Sequence, residues 1–267
     1  MKVTYQKKPA SLAVFSIITI VSLLLMSPNT AFAAIALDAA SSVSTTFNAS
    51  GTATISHTTG SGSNRFMWIG VSHRSDVAVE TVTYGAQSAV FVGVGGTSPD
   101  IGRRAEIWRV INPTSGAGTV TVDGPTTLNL VDVFIGVTTW TGVDQTTPLG
   151  TFVSASAVGG TTLTVDVTSA TGELVHDTAF CEGDCSAAGA GQTERWKIDR
   201  GGGSTEAGAS TVTMSWTQVV PPDDWAIGAA SIKPVAAAAT AGVTRKMRLF
   251  EGFSVKFING RIILHQK

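Results

Sequence analysis

Short runs of β-branched and aromatic residues, separated by turn residues, dominate the chain from Ala34 to Pro234. Each run is bounded by Gly, Pro, Asn, Asp or Ser, and the runs recur about every 8–12 residues, a spacing typical of β-sandwiches and barrels. No segment of this body repeats its apolar residues with the period of a helix. The pattern therefore predicts an all-β fold, an antiparallel β-sandwich over residues 34–234.

The predicted strands cover most of that body. They are Ala53–Thr58, Arg65–His73, Val79–Tyr84, Ala89–Val94, Ala105–Ile111, Thr119–Asp123, Leu130–Thr139, Thr162–Val167, Leu174–Phe180, Glu194–Asp199, Val212–Thr217 and Trp225–Ile232. The second and the seventh of these runs carry apolar residues on both faces, so we expect both strands to be internal and covered on two sides. Three consecutive glycines, Gly201–Gly203, are expected to form a turn.

The first 33 residues have the pattern of a secretory leader. Lysines precede the apolar run Leu12–Met26, and Ala31-Phe32-Ala33 supplies the small residues that a signal peptidase reads. We therefore predict a signal peptide over residues 1–33, and a protein that is secreted and works outside the cell or at its surface. The apolar run is shorter than the roughly 20 residues of a spanning helix, so no transmembrane segment is expected after cleavage.

The C-terminal residues have a different composition from the body. Residues 235–244 are rich in Ala and predict a linker, and residues 245–267 form a basic tail. Within the tail, Asn259-Gly260 separates two apolar-rich runs, which is the strongest short signal for a β-hairpin. An isolated hairpin is marginally stable in water, so we expect its apolar face to be covered by the body or by a partner. Self-association through addition of this hairpin to a neighbour's sheet is one possibility.

Charge is distributed unevenly along the chain. From Ala34 to Pro234 the sequence has 9 Lys and Arg against 18 Asp and Glu, whereas from Val235 to Lys267 it has 6 against 1. An acidic body argues against nucleic acid as a partner, because phosphate binding needs a basic face. The basic tail is suited to contact with an anionic surface or with the acidic body, and it equally serves solubility.

The only two cysteines, Cys181 and Cys185, lie in the run CEGDC. In an oxidising compartment such a pair predicts a disulfide that fixes the shape of a small loop. A zinc site would need further ligands at suitable spacing, and a redox dithiol usually has the tighter C-x-x-C spacing.

Acidic residues in two loops make calcium a possible cofactor. Glu182 and Asp184 lie within CEGDC, and Asp223 and Asp224 follow two prolines. Calcium sites collect 6–8 oxygen ligands, often from separate loops, so spacing alone leaves the alternative that these residues are solvated turns. The sequence indicates no other cofactor.

The sequence contains no strong catalytic signature. It lacks the G-x-S-x-G, H-E-x-x-H, P-loop and EF-hand motifs. A glycan-active hydrolase or lyase on a β-sandwich is the catalytic alternative, and a hydrolase would need two carboxyl groups at a defined separation. Glu173 and Asp177 share a face of one predicted strand, but a solvated strand face explains them as well.

Tryptophans beside charged residues suggest ligand binding. Arg104, Glu106 and Trp108 share one face of a predicted strand, and Glu194 and Trp196 share a face of another. Flat aromatic rings stack on sugars while polar neighbours supply hydrogen bonds. These two groups are the predicted glycan platform, and the alternative is that each tryptophan belongs to the core.

Four segments carry a resemblance to a known kind of protein: VETVTYGAQSAVFVGVG (Val79–Gly95), RRAEIWRVINPTSGAGTVTV (Arg103–Val122), GVTTWTGVDQTTPLG (Gly136–Gly150) and DWAIGAASIKP (Asp224–Pro234). They resemble uncharacterised secreted bacterial jelly-roll-like β-sandwich modules of extracellular and surface proteins. The resemblance implies a β-sandwich of the jelly-roll or lectin-like kind, a location outside the cell and a role in adhesion or glycan binding; no site residues come with it. The expected function is therefore a non-catalytic binding or cell-surface structural module, with the glycan-active enzyme and the assembly subunit as alternatives.

Overall fold

The computed structural model describes residues 34–96, 102–236, 247–250, 253–258 and 261–266. The predicted signal peptide and most of the predicted linker lie outside these residues. The chain forms two units, the body Phe32–Ala236 and a second unit that includes Ala237–Lys267. The described residues contain no helix long and apolar enough to cross a membrane.

The described body consists of β-strands and one short 3₁₀ turn, Thr126–Leu128. The strands are β1 (Ala36–Thr46), β2 (Thr52–Thr59), β3 (Phe66–His73), β4 (Thr81–Tyr84), β5 (Gln87–Ser88), β6 (Val90–Gly95), β7 (Arg104–Ile111), β8 (Gly116–Asp123), β9 (Asp132–Thr141), β10 (Val153–Gly160), β11 (Thr162–Thr168), β12 (Leu174–Cys181), β13 (Cys185–Ala188), β14 (Thr193–Ile198), β15 (Gly201–Ala207), β16 (Thr211–Gln218) and β17 (Asp223–Ile232). Neighbouring strands pair antiparallel. The prediction of an antiparallel all-β fold is confirmed.

The body is built from two modules with the same strand order. In the first module, β1–β9, one sheet has the order β1-β9-β3-β7-β6 and the other β2-β8-β4-β5. In the second module, β10–β17, the orders are β10-β17-β12-β15-β14 and β11-β16-β13. Each strand of the second module occupies the place of its counterpart in the first; the two-residue strand β5 of the first module has no counterpart among the described strands. The described body thus holds four sheets, whereas the single sandwich predicted from the sequence has two.

Strand register also matches between the modules. Gly136 lies opposite Gly70 in the first module, and Gly228 lies opposite Thr178 in the second. The edge strands β6 and β14 bulge at equivalent places, immediately before Gly93 and immediately before Trp196. Position-by-position counterparts can therefore be assigned by counting along the paired strands.

Each module has its own apolar core between its two sheets, and the modules pack together through their five-stranded sheets. Strands β6 and β7 pack on β17 as β14 and β15 pack on β9, while β3 packs on β12. This reciprocity describes an approximate two-fold axis between the modules. It also explains why β3 and β9 are buried on both faces, as predicted for Arg65–His73 and Leu130–Thr139.

The three consecutive glycines form the start of β15, so the prediction of a turn at Gly201–Gly203 is wrong. A methyl group on Gly203 would overlap the ring of Trp196, and one on Gly202 would lie 2.9 Å from the ring of Trp216. The glycines are needed because large rings pack on both faces of this strand.

A buried polar chain crosses the contact between the modules. The Trp140 Nε1 donates to Thr138 Oγ1 at 2.9 Å, and Thr138 Oγ1 lies 3.0 Å from His176 Nε2. His176 Nδ1 lies 2.8 Å from the carbonyl oxygen of Asp177, which only accepts, so Nδ1 carries the proton and Nε2 accepts from Thr138. The Trp68 ring stacks on the imidazole at 4.5 Å. Burial lowers the pKa of His176 to about 3, so this histidine is neutral.

The next residue on β12, Asp177, points to the opposite side of the strand, toward the core between the two sheets of the second module. The Asp177 carboxylate is fully buried and accepts hydrogen bonds from Ser204 N at 2.6 Å and Trp216 Nε1 at 3.0 Å. Burial raises the pKa of Asp177 to about 7 although these donors lower it. Asp177 and its predicted partner Glu173 therefore do not form an accessible carboxylate pair.

The second unit contains three described strands, β18 (Met247–Phe250), β19 (Phe253–Ile258) and β20 (Arg261–Gln266), in one antiparallel sheet. The register of β19 and β20 pairs Ile258 with Arg261. Asn259-Gly260, on which the hairpin prediction depends, lie outside the described residues.

Candidate functional site

A groove of about 430 Å³ opens at the edge of the first module, where the chain crosses to the second. This junction groove is lined by Phe91, Val92, Arg109, Thr146, Thr147, Pro148, Leu149, Gly150 and Phe152. Two of its sides come from β6 and β7, and the third comes from the connector, residues 142–152, between β9 and β10. Its volume lies in the range of small-ligand sites.

The connector is held on β17 by backbone hydrogen bonds. Gly150 N donates to Ser231 O at 2.9 Å, and Lys233 N donates to Pro148 O at 2.8 Å. Asp144 accepts hydrogen bonds from the backbone of Thr146 and Thr147 at 2.7 and 2.9 Å, and these bonds lower the pKa of Asp144. The groove wall is therefore formed before any ligand arrives, which reduces the ordering cost of binding.

Phe152 is inserted between the two modules and forms the floor of the junction groove. A methyl group on Gly93 of β6 would lie 2.5 Å from the Phe152 ring, and one on Gly228 of β17 would lie 2.9 Å from it. In the second module the counterpart of Gly93 is Trp196, which packs on Gly136, the counterpart of Gly228. Two equivalent spaces between the modules are thus filled by different residues, one by Phe152 and the other by Trp196.

The remaining walls offer an aromatic ring and a cation. Phe91 is 45% exposed, and its ring is held edge-on against Trp108 at 5.0 Å. Arg109 is half-buried, and no Asp or Glu of the described residues forms an ion pair with it. Thr146 and Thr147 are exposed and add two hydroxyl groups. This set can stack on a flat ligand face, accept or donate hydrogen bonds and attract an anion; it contains no carboxylate.

Arg104, Glu106 and Trp108 do share one face of β7, but the second sheet of the first module covers that face. Trp108 is only 6% exposed and donates from Nε1 to Glu106 Oε2 at 3.2 Å. Glu106 Oε1 also accepts from Arg104 Nε at 2.7 Å and from Val79 N at 3.1 Å. The group is a buried structural cluster, and the indole presents no free face to a sugar.

The pKa of Glu106 shows how this cluster stabilises a buried charge. Burial raises the pKa of Glu106, but the hydrogen bonds and charges of His73 and Arg104 outweigh burial and lower it. Glu106 is therefore an ionised carboxylate inside the core, and its lowered pKa does not suit a group that donates a proton.

Trp196 and Glu194 are separated by the bulge of β14 and point to different environments. Trp196 is 4% exposed and packs between the modules, whereas Glu194 is exposed and lies 3.7 Å from Lys197. The two residues do not form a binding surface together.

The disulfide between Cys181 and Cys185 is confirmed, and it closes a loop at the end of the second module. Glu182 in that loop is almost buried and contacts three guanidinium groups. Arg74 lies 3.3 Å and Arg200 3.7 Å from its carboxylate, and Arg103 makes the closest contact. Because Arg74 and Arg103 belong to the first module, Glu182 ties the two modules together.

The other residues of the suggested calcium site are also engaged. Asp184 lies 3.7 Å from Arg200 Nε, Asp224 lies 4.0 Å from Arg103 and accepts from Gly159 N, and Asp223 accepts from Asp224 N. In the described parts of the chain, no three His, Cys, Asp or Glu side chains form a group that could hold a metal ion. The arginines occupy the place that a cation would need.

Replacing Glu182 by glutamine is expected to lower the free energy of unfolding by about 2 kcal/mol, because the partly buried guanidinium groups of Arg103 and Arg200 and the exposed one of Arg74 then lose their shared carboxylate. Urea denaturation of the variant and of the natural protein measures the difference. Glu194→Gln is the matched control, since its ion pair is exposed and is expected to contribute less than about 1 kcal/mol. Equal effects of the two substitutions would show that Glu182 does not join the modules.

No protein-family model, curated protein or solved structure matches this chain. Its function therefore has to be inferred from the chemistry of the junction groove. The groove residues were not singled out from the sequence, because Phe91 lies in an ordinary predicted strand and Phe152 lies between two predicted strands. The available signal was Arg109, a charge between apolar residues on an internal strand.

Proposed function

We propose that this protein is a secreted, non-catalytic module that binds a carbohydrate in the junction groove. The observation that carries the proposal is that one groove is lined both by the exposed Phe91 and by Arg109, which has no carboxylate partner among the described residues. Aromatic rings stack on the apolar face of a sugar, and charged and hydroxyl groups bond its polar edge. The location outside the cell rests on the signal-peptide pattern of residues 1–33.

Two properties of the groove favour binding over catalysis. Among the described residues no carboxylate lines the groove, whereas a glycan hydrolase needs two. The connector that forms one wall is held by backbone hydrogen bonds to β17, which suits a preformed binding surface. Adhesion to a cell-surface polymer would use the same groove.

Replacing Phe91 by alanine is expected to weaken glycan binding by about tenfold or more, because the stacking surface is lost while the backbone of β6 is unchanged. A glycan-array screen of the purified protein identifies the ligand, and titration calorimetry then compares the two affinities. Both are run with calcium and again with EDTA, which tests the suggested calcium requirement directly.

Val158→Ala is the matched control, because Val158 is 63% exposed and lies outside the groove lining. It should leave binding unchanged. Retention of glycans by the Phe91→Ala variant with full affinity would place the site elsewhere. Absence of glycan binding by the natural protein would favour the assembly-subunit alternative, whose test is the oligomeric state with and without residues 245–267.

A further inference from the structure

The second module contains a place equivalent to the junction groove, and its own side chains fill it. Counting along the paired strands, the counterparts of Val92, Arg109 and Ile232 are Arg195, Thr205 and Trp140. Arg195 Nε donates to Thr205 Oγ1 at 2.7 Å, and its guanidinium lies 5.2 Å from the centre of the Trp140 ring. The cation at this second place is therefore satisfied within the protein.

At the junction groove the same positions hold smaller, apolar residues. Val92 stands where the second module has Arg195, and Ile232 stands where it has Trp140. Val92 and Arg109 both line the groove, whereas their counterparts Arg195 and Thr205 are hydrogen-bonded to each other. The groove thus results from particular residues at one of two equivalent places, and is not a general consequence of the fold.

Arg109 also differs from four other arginines of the body, each of which has a carboxylate partner. Arg74, Arg103 and Arg200 share Glu182, and Arg104 bonds Glu106. Arg109 alone among these five has no carboxylate partner in the described residues. A half-buried guanidinium is a strong site for a carboxylate, since its planar fork can donate two parallel hydrogen bonds.

We propose that the junction groove selects a sugar that carries a carboxylate, such as a hexuronic acid, through an ion pair with Arg109; this inference rests on the proposed function. Phe91 stacks on the sugar ring, and the hydroxyls of Thr146 and Thr147 bond its hydroxyl groups. The body has twice as many acidic as basic residues, so a long polyanion is repelled. The ligand is therefore a single acidic sugar at the end of an otherwise neutral chain.

The test compares two oligosaccharides that are identical except for the terminal residue, glucuronic acid in one and glucose in the other. Titration of the natural protein should give at least tenfold tighter binding of the acid-terminated chain. Arg109→Gln should remove this preference, because the affinity for the acid-terminated chain should fall much further than the affinity for the neutral chain. Arg109→Lys should restore part of the preference, because an ammonium supplies the charge without the fork.

Lys197→Gln is the matched control, because Lys197 is a cation outside the groove and should leave the preference intact. Thermal unfolding of each variant checks that the fold is retained. Equal, Phe91-dependent binding of both oligosaccharides would overturn the selection of an acidic sugar but leave the proposed function standing. Binding of neither oligosaccharide, nor of any glycan on the array, would overturn both.

Discussion

Replacing Gly136 by alanine is expected to lower the free energy of unfolding by about 3 kcal/mol, because the added methyl group would overlap the ring of Trp196. Trp196 is buried between the modules and also packs on Gly203, so its ring has no space to move into. Urea denaturation followed by tryptophan fluorescence measures the change.

Gly228→Ala is the matched control, because Gly228 is the counterpart of Gly136 in the second module. Its methyl group would lie 2.9 Å from the ring of Phe152, which is half-buried and belongs to the connector. This ring can move toward the groove, so we expect a smaller loss than at Gly136. In a Trp196→Leu background Gly136→Ala should cost much less than in the natural protein, and an undiminished cost would rule out the overlap with Trp196 as its cause.

Substitution of His176 or Asp177 is expected to give the protein opposite dependences of stability on pH. The pKa of His176 is lowered to about 3 and that of Asp177 is raised to about 7, in both cases chiefly by burial. Between the folded and unfolded pKa values of His176, the unfolded chain binds the extra proton, so His176 destabilises the fold as pH falls from about 6.5 to about 3.

The sign is reversed for Asp177. Between its unfolded pKa of about 3.8 and its folded pKa of about 7, the folded protein holds the extra proton. Asp177 therefore destabilises the fold as pH rises through this interval. Where the two intervals overlap, from about pH 4 to 6.5, each residue contributes a slope of about 1.4 kcal/mol per pH unit. These slopes have opposite signs and cancel in the natural protein.

The single variants reveal each slope separately. Relative to the natural protein, His176→Gln should lose stability as pH rises from 4 to 6.5, since the contribution of Asp177 is no longer offset. Asp177→Asn should gain stability over the same interval. The measurement is the free energy of unfolding in urea at several pH values. Subtracting the value of the natural protein at each pH removes the contributions of the carboxylates that all three proteins share. Slopes of the same sign in both variants would contradict the two pKa directions.

The predicted glycan platform illustrates what strand periodicity can establish. Alternation correctly placed Arg104, Glu106 and Trp108 on one face of β7, because successive side chains of a strand point to opposite sides. It could not show that a second sheet covers that face, because the covering residues come from β2, β4 and β8. The groove residues Phe91, Arg109 and Phe152 come together only when three segments pack, so the local sequence marks Arg109 as an unusual charge but does not mark the groove.

The sequence by itself determined the all-β class, the internal position of β3 and β9 and the disulfide partners. These are local properties, set by side-chain alternation, β-branching and the proximity of two cysteines. Only the tertiary structure decided that the body holds two equivalent modules, that Gly201–Gly203 lie in a strand, and that a groove opens beside Arg109. These outcomes depend on which sheet faces pack together, and such packing is determined by the shapes of residues far apart in the chain.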